Sequence, residues 1–311
     1  MKLVICILTL FFIACSSQNE VPQGTRIIAT YRPMSHIVMA LGKQQYLVGG
    51  HANSNIPLFN ALLPHEITLV GSKAKGVNIE TVVSLHPTIV LGYPTVDGYR
   101  MQEQLKQFNI PTFMLKIESL QEIQDSLIAL GKELQAEAQA QNVISEMNRI
   151  MNIVDSHLQK NPAIKKRIFF ASSSQFLRTY SNQMLQHEMI ERAGAIDVSE
   201  IKQGGSANIS LEQLILWNPD YIILSATSLY SQESVINNEQ YSLIRAVQEK
   251  KLCEMPDKKI VGWDFPCPDS VLGILWISKT CYPELFSDID LMQEEKTFYQ
   301  TVYHVDITKL K

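Results

Sequence analysis

Two stretches of this chain carry one pattern. The first is Val77-Asn78-Ile79-Glu80-Thr81-Val82-Val83-Ser84-Leu85-His86-Pro87-Thr88-Ile89-Val90-Leu91. The second, about 130 residues further on, is Ile209-Ser210-Leu211-Glu212-Gln213-Leu214-Ile215-Leu216-Trp217-Asn218-Pro219-Asp220-Tyr221-Ile222-Ile223-Leu224. Each opens on an apolar residue and a Glu, runs through a short amphipathic helix, meets a Pro seven places after the Glu, and ends in an apolar β-run. A repeat this widely spaced predicts two related lobes with a cleft between them, and ligands favour clefts at domain interfaces.

The rest of the chain agrees with two lobes. Its 311 residues suffice for two domains of ordinary size. Hydrophobic content of 46% with 19% charged residues describes a globular protein. The net charge is −4 and no basic stripe is present, which argues against a nucleic-acid partner. From Arg26 to Glu118, short β-runs (Ile27–Thr30, Tyr46–Gly50, Ile67–Val70, Ile89–Leu91, Pro111–Leu115) alternate with helical patterns such as Ser35–Leu41 and Arg100–Phe108. That alternation predicts an α/β fold with mainly parallel sheets flanked by helices. The rhythm then changes. Ser119 to Lys160 holds one Gly and no Pro, and Ser119 with Glu122 forms a capping-box pattern. Val143, Met147, Ile150, Val154 and Leu158 recur at helical spacing, so one long α-helix joins the lobes. The β-rhythm resumes at Ile168–Ala171 and again at Tyr221–Leu224 and Ile260–Gly262. The expected divisions are 26–118 for the first lobe, 119–160 for the connecting helical segment and 161–311 for the second lobe.

The start reads as a targeting segment. Met1-Lys2 precedes an 11-residue apolar run, Leu3–Ile13, which is too short to span a bilayer. Ala14-Cys15 and then Ser16-Ser17-Gln18-Asn19-Glu20 follow. This resembles the bacterial lipoprotein signal. The resemblance implies cleavage before Cys15, a lipid on its sulfur, and a tether over 16–25. Of five cysteines, Cys253, Cys267 and Cys281 then remain, enough for one intramolecular disulfide at most. No C-x-x-C pair is present, so a thiolate metal site is not expected.

Four stretches in order carry a wider resemblance: Val77–Glu80 with Pro87; Arg178-Thr179-Tyr180 leading to Glu191-Arg192-Ala193-Gly194; Ser210–Gln213 with Trp217-Asn218-Pro219-Asp220; and Trp263-Asp264-Phe265-Pro266 leading to Leu272–Trp276. Behind a lipoprotein signal and around a long helix, they resemble the substrate-binding proteins of ABC importers, in the helical-backbone group that carries iron–siderophore complexes, haem, cobalamin, metals and oxyanions. The resemblance implies two α/β lobes and a monomeric extracytoplasmic lipoprotein of the cell envelope. It implies delivery of ligand to an ABC permease and its ATPase. It also implies that Glu80 and Glu212, one per lobe, dock against basic permease residues. Both sit near a helix start, where the dipole favours a carboxylate, and two separated charges fix the orientation of an encounter.

Cleft residues follow from topology, because open α/β sheets bind ligands beyond the carboxyl ends of their strands. The positions after each strand are Tyr31 and Arg32; His51; Tyr93; Ser172–Ser174 with Arg178 and Tyr180; Ser225 and Tyr230; and Trp263 and Asp264. The two arginines suit carboxylate or oxyanion groups. The aromatic residues suit the body of a flat or apolar ligand. His51 is the candidate metal ligand. The expected cargo is an iron–siderophore or related metal complex. The alternatives are a corrinoid or haem, molybdate or tungstate, or a metal ion such as Ni. No cofactor of the protein's own is expected. No Gly-rich phosphate loop, G-x-S-x-G or H-E-x-x-H is present, so an enzyme is not expected. A ligand-sensing lipoprotein is the non-transport alternative.

Overall fold

The two repeated stretches fold alike. In the computed structural model, which describes residues 24–51, 62–72, 76–160, 164–256 and 262–309, Asn78 caps the helix Ile79–Ser84 by accepting from the Thr81 N–H at 2.9 Å. Ser210 caps Leu211–Trp217 in the same way, accepting from the Gln213 N–H at 3.1 Å. Each helix then ends on a left-handed residue directly before the proline: His86 with φ 46° and Asn218 with φ 44°. Asn takes this conformation more readily than His. The turn sends each chain into a buried strand that pairs with the first strand of its own lobe.

Around those strands stand two sheets. The first contains β1 (Ile27–Ala29), β2 (Leu47–His51), β3 (Thr68–Ser72), β4 (Gly76–Val77), β5 (Ile89–Gly92) and β6 (Thr112–Met114), in the order β4-β3-β2-β1-β5-β6. All its neighbours are parallel except β3 and β4. The second contains β7 (Arg167–Ala171), β8 (Arg178–Tyr180), β9 (Ile196–Asp197), β10 (Ser206–Asn208), β11 (Tyr221–Leu224) and β12 (Leu252–Glu254). Its order is β10-β8-β7-β11-β12, with β9 beside β7, and β8 runs antiparallel to both of its neighbours. The chain is thus α/β with two sheets flanked by helices.

The segment between the sheets is two helices, Leu120–Glu133 and Glu137–Lys160. The break falls at Gln135, with φ 50°. Neither Gly nor Pro marks it in the sequence. The second helix has 24 residues, about 36 Å at 1.5 Å per residue. Val143, Met147, Ile150 and Val154 are buried on one face, as their spacing predicts. The expected capping box forms only by half. Ser119 accepts from the Glu122 N–H, but the Glu122 carboxylate turns to the Glu118 N–H at 2.8 Å. A C-terminal helix, Leu291–Tyr303, packs on the long helix. There the Gln139 side-chain amide donates to the carbonyls of Ala40 (3.0 Å) and Val302 (3.1 Å), tying three elements together.

Cys253, Cys267 and Cys281 are all free thiols. The signal segment with Cys15, and most of the strand expected at 260–262, lie outside the described residues. No helix among the described residues is long and apolar enough to cross a membrane.

Candidate functional site

The sheet order locates the site. In the first sheet, strand order reverses between β1 and β5, and a crevice opens beyond their carboxyl ends at such a switch point. Tyr31 follows β1 and Tyr93 follows β5, and their rings meet at 5.3 Å with a 45° tilt. The Thr30 hydroxyl donates to the Leu91 carbonyl at 2.7 Å and holds the two strand ends together. Tyr93 is fixed from behind by Gly98, where a Cβ would lie 1.9 Å from the Tyr93 carbonyl oxygen. Both tyrosines line a hollow of about 560 Å³, with His51, Ser72, Thr95, Asp97 and Arg100. Asp97 and Arg100 form an ion pair at 3.0 Å on its exposed rim. A hollow of about 510 Å³ near Lys106 and Pro111 lies instead at the amino end of β6, away from every strand C-terminus.

The second sheet offers a matching crevice between β7 and β11. Ser172 follows β7 and Ser225 follows β11. The Ser225 hydroxyl donates to the buried Asp264 carboxylate. The Tyr230 hydroxyl donates to the Ser172 carbonyl at 2.5 Å. Tyr180 stacks edge-on against Phe170 at 5.8 Å and feels the charge of Asp264. Burial pushes the Asp264 carboxyl above its ordinary range, and the Ser225 bond and the Arg32 charge pull it back.

The two crevices meet across the lobes. Arg32 is the first residue of the helix Arg32–Ala40, where Pro33 sits in the first turn. Its guanidinium carbon lies 4.4 Å from the centre of the Phe265 ring in the second lobe. Burial lowers its basicity, while the charge of Asp264 supports it. Tyr31 also feels Asp264, and burial holds its phenol well above the usual range.

Of the expected site residues, Tyr31, Arg32, Tyr93, Tyr180 and Asp264 therefore gather at this junction, and His51 lines the adjoining hollow. Two others do not. Trp263 is 2% exposed, and its indole N–H donates to the Tyr299 hydroxyl at 3.1 Å, so it is a core residue and presents no surface to the cleft. Arg178 lies against the neighbouring edge strand. Its guanidinium donates to the Ser206 hydroxyl (3.0 and 2.8 Å) and to the Asn208 side chain (3.1 Å), so uncharged groups of its own lobe hold it. Among the described residues, no group of three His, Cys, Asp or Glu side chains is placed to hold a metal ion around His51 or elsewhere. Glu80 and Glu212 are both exposed in the first turns of their equivalent helices.

Two residues of the junction escaped sequence reasoning. Phe265 was visible only as part of a motif. Glu118 precedes the first connecting helix and follows no strand directly, so the strand-end rule passes over it. It accepts the Tyr93 hydroxyl proton in a short hydrogen bond.

Two α/β lobes about a long helix, with an aromatic hollow on the first beside the Arg32–Phe265 contact to the second, have the form of a binding protein. The chain belongs to the periplasmic binding protein family, which matches residues 27–259. These are substrate-binding proteins of ABC transporters, and this chain is of their helical-backbone group. The chain is 26% identical over 252 residues to the molybdate-binding protein MolA of Haemophilus influenzae, covering 73% of this chain and 70% of that one. It is 24% identical over 217 residues to the vitamin B12-binding protein of Pectobacterium atrosepticum, covering 69% and 75%. Among solved structures, molybdate-bound MolA aligns with a TM-score of 0.79 at 21% identity, over 92% of this chain and 95% of that one. Helicobacter pylori CeuE with Ni(II) bound aligns with a TM-score of 0.79 at 20% identity, over 92% and 93%. These likenesses establish a shared fold.

Proposed function

We propose that this chain captures a small metal chelate between its lobes and delivers it to the permease and ATPase of an ABC importer. The observation that carries this reading is the junction of Tyr31, Tyr93 and Arg32 with Asp264 and Phe265, beside a hollow of about 560 Å³. That hollow is lined by first-lobe residues and opens beside the contact with the second lobe; its volume lies in the range of sites for drug-sized ligands of roughly 300–1,000 Å³ and exceeds what a tetrahedral oxyanion needs. Aromatic faces suit the organic shell of a chelate. Arg32 suits a carboxylate of the chelator, and the Tyr93 oxygen, whose proton goes to Glu118, suits a metal or donor group. An iron–siderophore complex and a metal–amino-acid chelate both meet this description.

A second reading, a molybdate or tungstate binder, is favoured by Arg32 and by the likeness to MolA. It leaves the tyrosine pair without a role. Exposed Glu80 and Glu212 support docking to a basic permease surface, and lipidation at Cys15 would hold the protein at the membrane.

Isothermal titration of the chain starting after Cys15 separates the readings. The panel holds ferric siderophores, Ni²⁺ with histidine, cobalamin, haemin and molybdate. Saturable binding of one chelate class, weakened by Arg32→Met, supports the proposal. Binding of molybdate alone establishes the second reading.

A further inference from the structure

Glu118 does more than line the junction. It sits between the lobes, at the start of the connecting segment. One face of its half-buried carboxylate takes the Tyr93 hydroxyl proton. The backbone N–H of Leu185, first residue of the helix Leu185–Arg192 in the second lobe, faces the same carboxylate and favours its charged form. That helix has no side-chain cap of its own at Met184, so the Glu118 carboxylate stands toward a helix start with an unsatisfied first turn. A reciprocal bond completes the clasp, because the Leu120 N–H donates to the Glu188 carboxylate at 2.9 Å. The other charges facing Glu118 are Glu122 and Lys116, themselves paired at 2.5 Å.

This arrangement decides the polarity of Tyr93. A phenol has one proton and two lone pairs. With the proton committed to Glu118, any ligand group that reaches the phenol oxygen meets it as an acceptor. We propose that Glu118 is a specificity-determining positioning residue: it fixes Tyr93 as a lone-pair donor, so that the ligand group seated there is a metal cation or an N–H or O–H donor and not a bare anion. The inference rests on the cleft reading given above and deepens it. Burial raises the Glu118 carboxyl, and the Tyr93 bond and the Leu185 N–H pull it down.

The isosteric variant Glu118→Gln tests this sharply. The Leu185 N–H faces this side chain and can only donate, so it favours the single amide oxygen on its side. With the amide NH₂ toward Tyr93, the phenol oxygen must accept, which frees its own proton. Two readouts follow. In the first, without ligand, the tyrosine Fermi doublet in Raman spectra, taken as differences against Tyr93→Phe in each background, reports the hydrogen-bonding role of Tyr93. The expected change is from strong donor in the parent to acceptor in Glu118→Gln. In the second, Ni²⁺ premixed with excess histidine binds Glu118→Gln about tenfold to a hundredfold more weakly than the parent, whereas molybdate binding stays level or strengthens. A merely structural role would weaken both probes together.

An unchanged Raman signature overturns the proposal. So does a parallel loss of both probes, or chelate binding that ignores Glu118→Gln while falling in Tyr93→Phe. If the parent binds neither probe, that failure falls on the cleft reading, and the Raman comparison alone decides the role of Glu118.

Discussion

The Arg32 guanidinium lies 4.4 Å from the centre of the Phe265 ring, and this contact joins the opening helix of the first lobe to the motif that begins the last third of the second. Such a cation–π contact is worth about 0.5–2 kcal/mol, more when desolvated. Burial already lowers the basicity of Arg32, so the charge stays in place through its neighbours, Asp264 among them. Lysine lacks the planar face that stacks on the ring. Arg32→Lys is therefore expected to weaken ligand binding about tenfold while costing less than about 1 kcal/mol in stability. Calorimetric titration beside a urea melt checks both halves.

Trp263 makes the opposite prediction. It is buried and bonded to Tyr299, which packs against the C-terminal helix residues Phe298 and Tyr303. Trp263→Phe removes volume and the hydrogen bond from the indole to the Tyr299 hydroxyl. The expected loss is about 1–3 kcal/mol in urea unfolding, with ligand affinity held within about twofold because the indole does not reach the cleft. A selective loss of affinity would return Trp263 to the site.

His36 gives the fold an acid-sensitive point. It is wholly buried on the helix that starts at Arg32. Burial, aided by the Arg32 charge, drives its pKa from 6.5 down to about 3. The folded state thus keeps the ring neutral where the unfolded chain would protonate it. Its contribution is complete above 6.5 and is lost as pH falls toward about 3, at about 1.4 kcal/mol per pH unit. Comparing urea midpoints at about pH 7 and about pH 4 should show a smaller drop in His36→Leu than in the parent. Equal drops would mean that His36 is not the sensitive group.

Glu80 and Glu212 are predicted to act in transport and not in capture. Reversing both to Lys should leave ligand affinity unchanged in solution and reduce uptake by at least about tenfold, with each single reversal intermediate. Cells carrying the variants, scored for accumulation of labelled ligand, provide the readout. Full uptake by the double variant would favour a sensing role over delivery.

Much of this architecture was legible because it is written in local chemistry. The paired Glu-helix-Pro-strand stretches announced two lobes. The Val143–Val154 spacing announced the long helix. The strand-end rule expected Tyr31, Arg32 and Tyr93 just past strands of the first lobe, and they stand just past β1 and β5. Where it failed, the reason was physical. Arg178 and Tyr180 lie on a short strand that runs antiparallel to both its neighbours, β10 and β7, and side chains on one strand face share a direction but not a neighbourhood, so Tyr180 reached the junction while Arg178 settled against Ser206 on β10. Trp263 stands directly before Asp264, but its indole meets Tyr299 of the C-terminal helix whereas Asp264 meets Ser225 beyond β11. Glu118 was invisible because it meets Tyr93 only through the pairing of β5 with β6, and Leu185 only through the packing of the second lobe, neither of which local sequence shows. Gln135 broke the connecting segment through a left-handed backbone that no Gly foretold.

The central claim is that a metal complex sits where the two lobes meet. Anomalous diffraction at the metal edge, from crystals of the chain grown with the tightest-binding chelate of the titration panel, tests it most directly. The account predicts one metal peak between the Tyr31–Tyr93 pair and the Arg32–Asp264 side of the cleft, with the Tyr93 oxygen turned toward the complex. A peak elsewhere on the molecule, or an empty cleft in a protein that binds the chelate in solution, would contradict it.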